Sequence, residues 1–191
     1  MLVAMKRWQN WLPSWLFVCV LGIGLVLAPF AEADAALNAY LKLKGQKQGT
    51  IKGGVTKAGR EGAIEIIAVS HEITSPRDAA SGLPTGKRMH KPFVITKQID
   101  KSSPLLASAL VNNENIPTWE LSVYQPSAKG QEAMAYTIKL TDASIAAIRL
   151  LVDDKGNMTE EVTFTYKKIE WTWVDGGITS EDDWQQPVAS K

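Results

Sequence analysis

The sequence is poor in the side chains that do most enzyme chemistry. Its 191 residues hold one cysteine and two histidines. The cysteine, Cys19, lies in an N-terminal apolar run that reads as a removable leader. The chain after that leader has no thiol, so it can carry no disulfide and no cysteine-ligated metal in any redox compartment. An excess of one charge is lacking too: Lys plus Arg number 21 against 20 for Asp plus Glu. Without a basic excess there is no electrostatic footprint for nucleic acid or an anionic membrane, and no acidic run points to a cationic partner. What is present is ordinary for a globular chain, with 45% hydrophobic and 21% charged residues. The length suits one domain with a real core rather than two.

Residues 1–33 differ from the rest. Lys6 and Arg7 form a basic start, Trp15–Ala28 is an uncharged apolar run, Pro29 ends it, and Ala31-Glu32-Ala33 is a small-x-small cleavage site. That order marks a cleavable secretory signal peptide. As a helix the run would span roughly 21 Å, short of the ~30 Å of a bilayer core, so no stable membrane span is expected after cleavage. An uncleaved anchor is the alternative reading. Cleavage after Ala35 is nearly as plausible as after Ala33. Removing the leader takes away Lys6, Arg7 and Glu32 and leaves the charge balanced. The organisation read is 1–33 as signal and 34–191 as one domain, with 37–174 as core and 175–191 as a polar tail.

Period-two alternation dominates the mature chain, which argues for strands. Leu41 and Leu43 share one face of Tyr40–Lys44. Gly45–Gly62 is polar, glycine-rich and reads as a loop. Ala63–Ile73 is β-branched and apolar on both faces at its middle. Thr74–His90 holds Pro76, Gly82, Pro84 and Gly86 and has no periodicity, and a loop of that length usually has a function. Lys91–Ile99 is a strand with Phe93 and Ile95 on one face. The one convincing helix follows, with Ser103 at the expected N-cap, Pro104 at the first position and Leu105, Leu106, Ala109 and Leu110 as its stripe. Trp119, Leu121 and Val123 share a face, as do Met134, Tyr136, Ile138 and Leu140. Ala143–Val152 is ambiguous by pattern and is assigned as a strand from its neighbours. In Glu160–Val174, Val162, Phe164 and Tyr166 have one parity and Ile169, Trp171 and Trp173 the other. Such a strand bulges near Lys167–Lys168 or passes from one packing surface to another. Roughly seven to nine strands and one helix predict a mainly β fold, an antiparallel β-barrel with one side α-helix, since closure removes exposed edges.

Candidate chemistry is thin. His71 is expected in a strand, where Ser70 would point to the opposite face, and His90 at a loop end. Both read as structural or surface histidines. GLPTGKR at Gly82–Arg88 has three residues between its glycines where a phosphate loop needs four, and Arg88 stands where a hydroxyl is required. Asp153, Asp154 and Asn157 do not have calcium-loop spacing. Asp175, Glu181, Asp182 and Asp183 form an acidic cluster best read as a solvated tail, with a weak cation site as the alternative. Trp119, Trp171 and Trp173 would make a sugar platform only if exposed, and core or subunit packing is the plainer reading. No catalytic, cofactor-binding or metal-binding residue is assigned, no cofactor is expected, and the chain reads as a non-enzyme.

Several segments resemble the haemolysin-coregulated protein (Hcp) family of type VI secretion tube proteins. They are AYLKLKG at Ala39–Gly45, AIEIIAVSHEI at Ala63–Ile73 and KPFVITKQIDKSSPLLASALVNNE at Lys91–Glu114. In the third, the strand–DKSSPLL–helix succession is the most specific piece. WELSVYQP at Trp119–Pro126, YTIKLTDASIAAIR at Tyr136–Arg149 and EEVTFTYKKIEWTWVDGGITSEDDW at Glu160–Trp184 continue in family order. The resemblance implies a barrel subunit of a hexameric ring. Rings stack into a tube, a sheath drives it behind a spike, and small effectors ride in the channel. It places Thr74–His90 where the family's long loop meets the neighbouring ring. One departure is the leader, because family members normally lack a cleavable signal. It implies a secreted or periplasmic location, with cytoplasmic assembly followed by type VI export as the alternative. The competing function is an exported β-barrel binding module that holds a surface or glycan ligand.

Overall fold

The structure is a computed structural model and describes residues 38–127, 130–152, 156–184 and 186. The proposed leader with Cys19, and the turn residues Asp153 and Asp154, lie outside the described residues.

The fold is mainly β with one helix. Its strands are β1 (Ala39–Gly45), β2 (Gly49–Ile51), β3 (Ile64–Ile66), β4 (Ala68–Ser70), β5 (Ile73–Thr74), β6 (Met89–His90), β7 (Phe93–Gln98), β8 (Asn115–Ile116), β9 (Thr118–Pro126), β10 (Glu132–Thr141), β11 (Ala143–Val152), β12 (Met158–Thr165), β13 (Lys168–Trp173) and β14 (Ile178–Asp183), with helix α1 (Ser103–Val111) after β7. Every pairing is antiparallel. A first sheet runs β14-β13-β10-β9-β1-β2 with β3 beside β1, and a second runs β4-β7-β12-β11-β8.

The expected closed barrel of seven to nine strands is corrected in count and in closure. The two ladders are separate, because long runs turn corners and change partner strands between them. β3 belongs to the first sheet and β4 to the second, β8 to the second and β9 to the first, β10 to the first and β11 to the second. The β12–β13 run also changes sheet, which resolves the parity switch in Glu160–Val174: the strand leaves one packing surface for the other. Asp142, at φ 51°, makes the β10–β11 corner.

The core lies between the two inner faces. Leu41, Leu43, Leu121, Leu140 and Ile169 come from the first sheet, Phe93, Ile95, Ile145, Val162 and Phe164 from the second, and Leu106 and Ala109 from α1. Trp119 is the hub, edge-on to Phe93 at 5.0 Å and to Phe164 at 5.6 Å between centroids. Such aromatic pairs add to simple burial.

The helix starts one residue earlier than the sequence suggests. Ser102, not Ser103, is the N-cap residue, and its side chain does not cap the helix. The reason is Asp100, whose carboxylate accepts from the backbone and hydroxyl of Ser102. Ser103 Oγ meanwhile accepts from Asp100 N at 3.1 Å and donates to Glu160 Oε1 at 2.8 Å. Of the expected stripe, Leu106 and Ala109 are buried and Leu105 is exposed.

Two segments read as unstructured are not. Gly45–Gly62 contains β2. Residues 175–183, read as tail, form a hairpin: Gly176 and Gly177 adopt φ of 81° and 63°, and β14 pairs with β13 over six residues. Paired positive-φ glycines suit tight hairpin turns.

Candidate assembly surfaces

Thr74–His90 is not a structureless loop but a hairpin arm. Ile73↔His90 and Thr74↔Met89 pair at its base, and Arg77 bridges Pro84 further out. Thr85 N donates to Pro76 O at 3.0 Å, and Gly82 turns the tip with φ 70°. Asp78 organises the tip by accepting from Ala80 N, Ser81 N and Ser81 Oγ, bonds that hold its carboxyl below the usual range. Leu83 stands out from this tip, 65% exposed.

The arm is locked to the C-terminal strand at its base. The Arg88 guanidinium forks onto the Asp182 carboxylate and donates to Asp183 O at 2.9 Å. His90 Nε2 lies 2.7 Å from Asp182 Oδ2, and its Nδ1 lies 2.9 Å from the Tyr166 hydroxyl. That hydroxyl also meets His71 Nε2 at 2.6 Å. One proton arrangement satisfies all three: His71 donates to the Tyr166 oxygen, Tyr166 donates to His90 Nδ1, and His90 Nε2–H donates to Asp182. Trp184 stacks over His90 and donates from Nε1 to Tyr166 O at 2.7 Å. Charge and burial tune the cluster. Arg88, and then His90, hold Asp182 below the ordinary carboxylate range. Burial, reinforced by His90, lowers His71. Burial and the Asp182 charge raise Tyr166.

The histidines dismissed one by one thus converge on one tyrosine. His71 is not in a strand, as expected, but in the link just past β4, where it stacks on Phe93 at 5.1 Å. Ser70 is no part of the cluster. Asp182 leaves the supposed solvated tail for Arg88, and Glu181 pairs with Lys168 at 3.0 Å. The only sequence signal for the convergence was the run of aromatic and polar residues around Tyr166, which says nothing about distance. Among the described residues no group of His, Asp and Glu is set to hold a metal ion.

Two further surfaces are apolar. On β13 the inner-face series passes from Ile169, fully buried, through Trp171, packed against the core, to Trp173, which is exposed. Trp173 pairs across the sheet with Tyr136 on one side and exposed Ile178 on the other. The second sheet runs out in the same way. Phe93, Ile95 and Lys97 are buried on β7 and Ile99 is not, while Val162 and Glu160 are buried on β12 and Met158 is not. Val152 pairs with Met158, and Ile99 N reaches Met158 O at 3.4 Å. Leu150 and Val152 are 61% and 67% exposed. Each sheet is longer than the layer that covers it, and its core parity continues into open surface. Exposed patches of this kind mark contact surfaces. Long edges add to them: among the described residues, β14 has no partner strand on its outer side.

Fold and surfaces together define a class, an antiparallel β-protein whose unexplained features are contacts rather than a reaction centre. Comparison with known proteins narrows this. Residues 40–173 match the family described as "Type VI secretion system effector, Hcp". The "Major exported protein" of Pseudomonas aeruginosa is 41% identical over 170 residues, with 81% of this chain and 99% of that protein covered. The Hcp1 protein of the E. coli EAEC 042 pathovar, solved as a double mutant, superposes with a TM-score of 0.72 at 37% identity, covering 78% of this chain and 99% of that one. The secreted protein Hcp3 of Pseudomonas aeruginosa gives 0.65 at 35% identity, covering 76% and 99%. The chain belongs to the Hcp family, which is a family of structural type VI secretion tube proteins and not of enzymes.

Proposed function

We infer that this chain is a ring-forming tube subunit of a type VI secretion system. Six copies close a ring, rings stack through the arm at Thr74–His90, and the channel has the role of carrying small effectors. The observation that carries this reading is coverage. The chain matches nearly the whole length of its exported relative, and residues 40–173 match the family. The rigid arm and two uncovered apolar surfaces supply what a self-assembling subunit needs. Residues 1–33 act as an export leader, so assembly takes place outside the cytoplasm.

Native mass spectrometry and negative-stain imaging of the mature chain test the ring. A hexameric ring is expected, and a strict monomer at high concentration ends the proposal. Fractionation with N-terminal sequencing tests the leader. A mature start at Asp34 or Ala36 in periplasm or medium is expected, whereas an intact Met1 in the cytosol refutes the leader and leaves the ring standing.

A further inference from the structure

We propose that the base of the arm is a two-proton catch. The cluster of His71, Tyr166, His90 and Asp182 keeps the arm on β14 with no added proton or with one, and releases it with two. The inference does not rest on the ring, since every group in the catch belongs to one copy.

Three observations carry it. First, the Tyr166 hydroxyl is where two imidazoles meet, 2.6 Å from His71 Nε2 and 2.9 Å from His90 Nδ1. A hydroxyl has one proton to give and two lone pairs to receive. Between two neutral imidazoles it gives to one and receives from the other. Charging His90 turns its Nδ1 into a donor, so the hydroxyl reverses: it receives from His90 and gives to His71 Nε2. His71 must then carry its own proton on Nδ1. That is a change of tautomer without a change of charge, and half-buried His71 can exchange the proton with water. Second, the one-proton state is matched. His90, its side chain 2% exposed, faces Asp182 at 2.7 Å. Arg88 shares that carboxylate, and the Asp183 charge lies close to the guanidinium. Phe93 stacks on His71 and brings no charge, Trp184 stacks on His90, and Lys168 is paired to Glu181. Third, a second proton has no place. With both histidines charged, two N–H groups aim at one phenol oxygen, and the proton of buried Tyr166 loses its acceptor. Arg88, His71 and His90 then put three positive groups beside two carboxylates. Only two residue pairs, Ile73↔His90 and Thr74↔Met89, and the bond from Lys91 N to Glu72 O hold the arm's base besides this cluster. In rings stacked through the arm, the catch sets the acidity at which stacking is lost.

The chain has two histidines, so the test is direct. Magic-angle-spinning NMR of the chain carrying 15N-histidine reads charge and tautomer at each ring whatever the size of the assembly, and His71→Gln assigns the two signals. As pH falls, His90 is expected to charge first, with His71 moving from the Nε2–H to the Nδ1–H tautomer in the same step. His71 should charge in a later step. Hydrogen exchange of Ile73–Lys91, corrected for intrinsic rate, should lose protection in the second step and not in the first. His71→Gln can donate or accept at Tyr166 but cannot charge, so its arm should stay protected where wild type loses protection. In Tyr166→Phe the His71 tautomer should no longer follow His90. A His71 that keeps one tautomer while His90 charges would overturn the inference. So would arm release in the first step, or release of wild type and His71→Gln at the same pH. A monomeric chain would sink the ring reading and leave the catch standing. If either variant loses its thermal transition, the wild-type tautomer and exchange measurements decide alone.

Discussion

Lys97 should be among the most sensitive positions in the chain, and the reason can be worked out from its surroundings. It is completely buried on β7, and its Nζ meets Glu160 Oε1 at 2.8 Å, Asp100 Oδ1 at 2.9 Å, Gln98 O at 2.8 Å and Ser103 Oγ at 3.0 Å. Glu160 is itself 2% exposed. Burying two charges costs about what their attraction returns, so the intact pair adds little net stability. Removing one partner is different, because the other is left charged in the interior at a cost of about 3–5 kcal/mol. Lys97→Met is therefore expected to lower stability by about that amount, or roughly 6–20 °C in Tm for a domain near this size. Glu160→Leu should cost less, since Asp100 still faces the ammonium. Burial works against the Asp100 charge, yet hydrogen bonds from Ser102 and Lys97 hold its carboxyl below the usual range. The double variant Lys97→Met/Glu160→Leu should recover most of the loss, to within about 1–2 kcal/mol of wild type. Urea unfolding of the four proteins completes the cycle. A Lys97→Met cost below about 1 kcal/mol, or simple additivity, would refute this account of the pair.

Three other perturbations follow from the same contacts. Gly45 has no room for a side chain, since a Cβ there would lie 2.4 Å from Glu114 Oε1, so Gly45→Ala should cost about 1–3 kcal/mol by overpacking, read as a fall in Tm. Trp119 holds two edge-on aromatic contacts, yet its Nε1 is buried without a hydrogen-bond partner, so Trp119→Phe should be far milder than Trp119→Ala, which should cost about 3–5 kcal/mol in urea. Acid should loosen β14 before the core. His71 is lowered by burial, so its contribution is complete above the ordinary histidine value and fades as pH falls. Asp182 is lowered by Arg88, so its contribution lasts further down and is lost as pH drops through its depressed value. Both act in one direction. Hydrogen exchange corrected for intrinsic rate should therefore show Ile178–Asp183 losing protection relative to Ala39–Gly45 as pH falls from 7 to below 3.8, the ordinary Asp value, and an unchanged ratio would count against the lock.

Strands with one buried face were legible because alternation records burial, and the DKSSPLL helix because proline and serine mark its start. β14 was not legible for the opposite reason. ITSEDD holds a single apolar residue, since an edge strand with no sheet above it needs none. Yet the glycine pair of VDGGI before it was an available hairpin signal, left unread because no apolar run followed. Corners were invisible as well. Residues such as Ile67 and Asp142 mark a change of partner strand, which alternation within one strand does not encode. The lock at Tyr166 shows a further limit: His71, Tyr166 and His90 are far apart in sequence and converge only once two sheets are packed. Parity correctly joined Ile169, Trp171 and Trp173. It could not say where along that series the covering layer ends.

That ending is where fold and assembly meet. Past the buried Lys97–Glu160 pair, the second sheet continues into Ile99 and Met158. A subunit that only had to fold would place polar residues there, because exposed apolar faces on strands invite aggregation. The chain keeps them apolar, while the outward parity of the same sheet is mostly polar, with half-buried Thr96, Thr159, Glu161 and Thr163 beside Val94 and Leu151. Alternation is therefore maintained on the side that gains nothing from a partner and extended unbroken on the side that does. Unlike, head-to-tail surfaces grow into a closed ring or an open filament depending only on the rotation between copies. The Lys97–Glu160 ion pair sits one inward position before Ile99 and Met158 on the same two strands. On this reasoning Lys97→Met/Glu160→Leu, although restored in stability, should shift the distribution of ring sizes seen by native mass spectrometry. On the proposed ring, an unaltered distribution would show that this face takes its orientation from the strands alone.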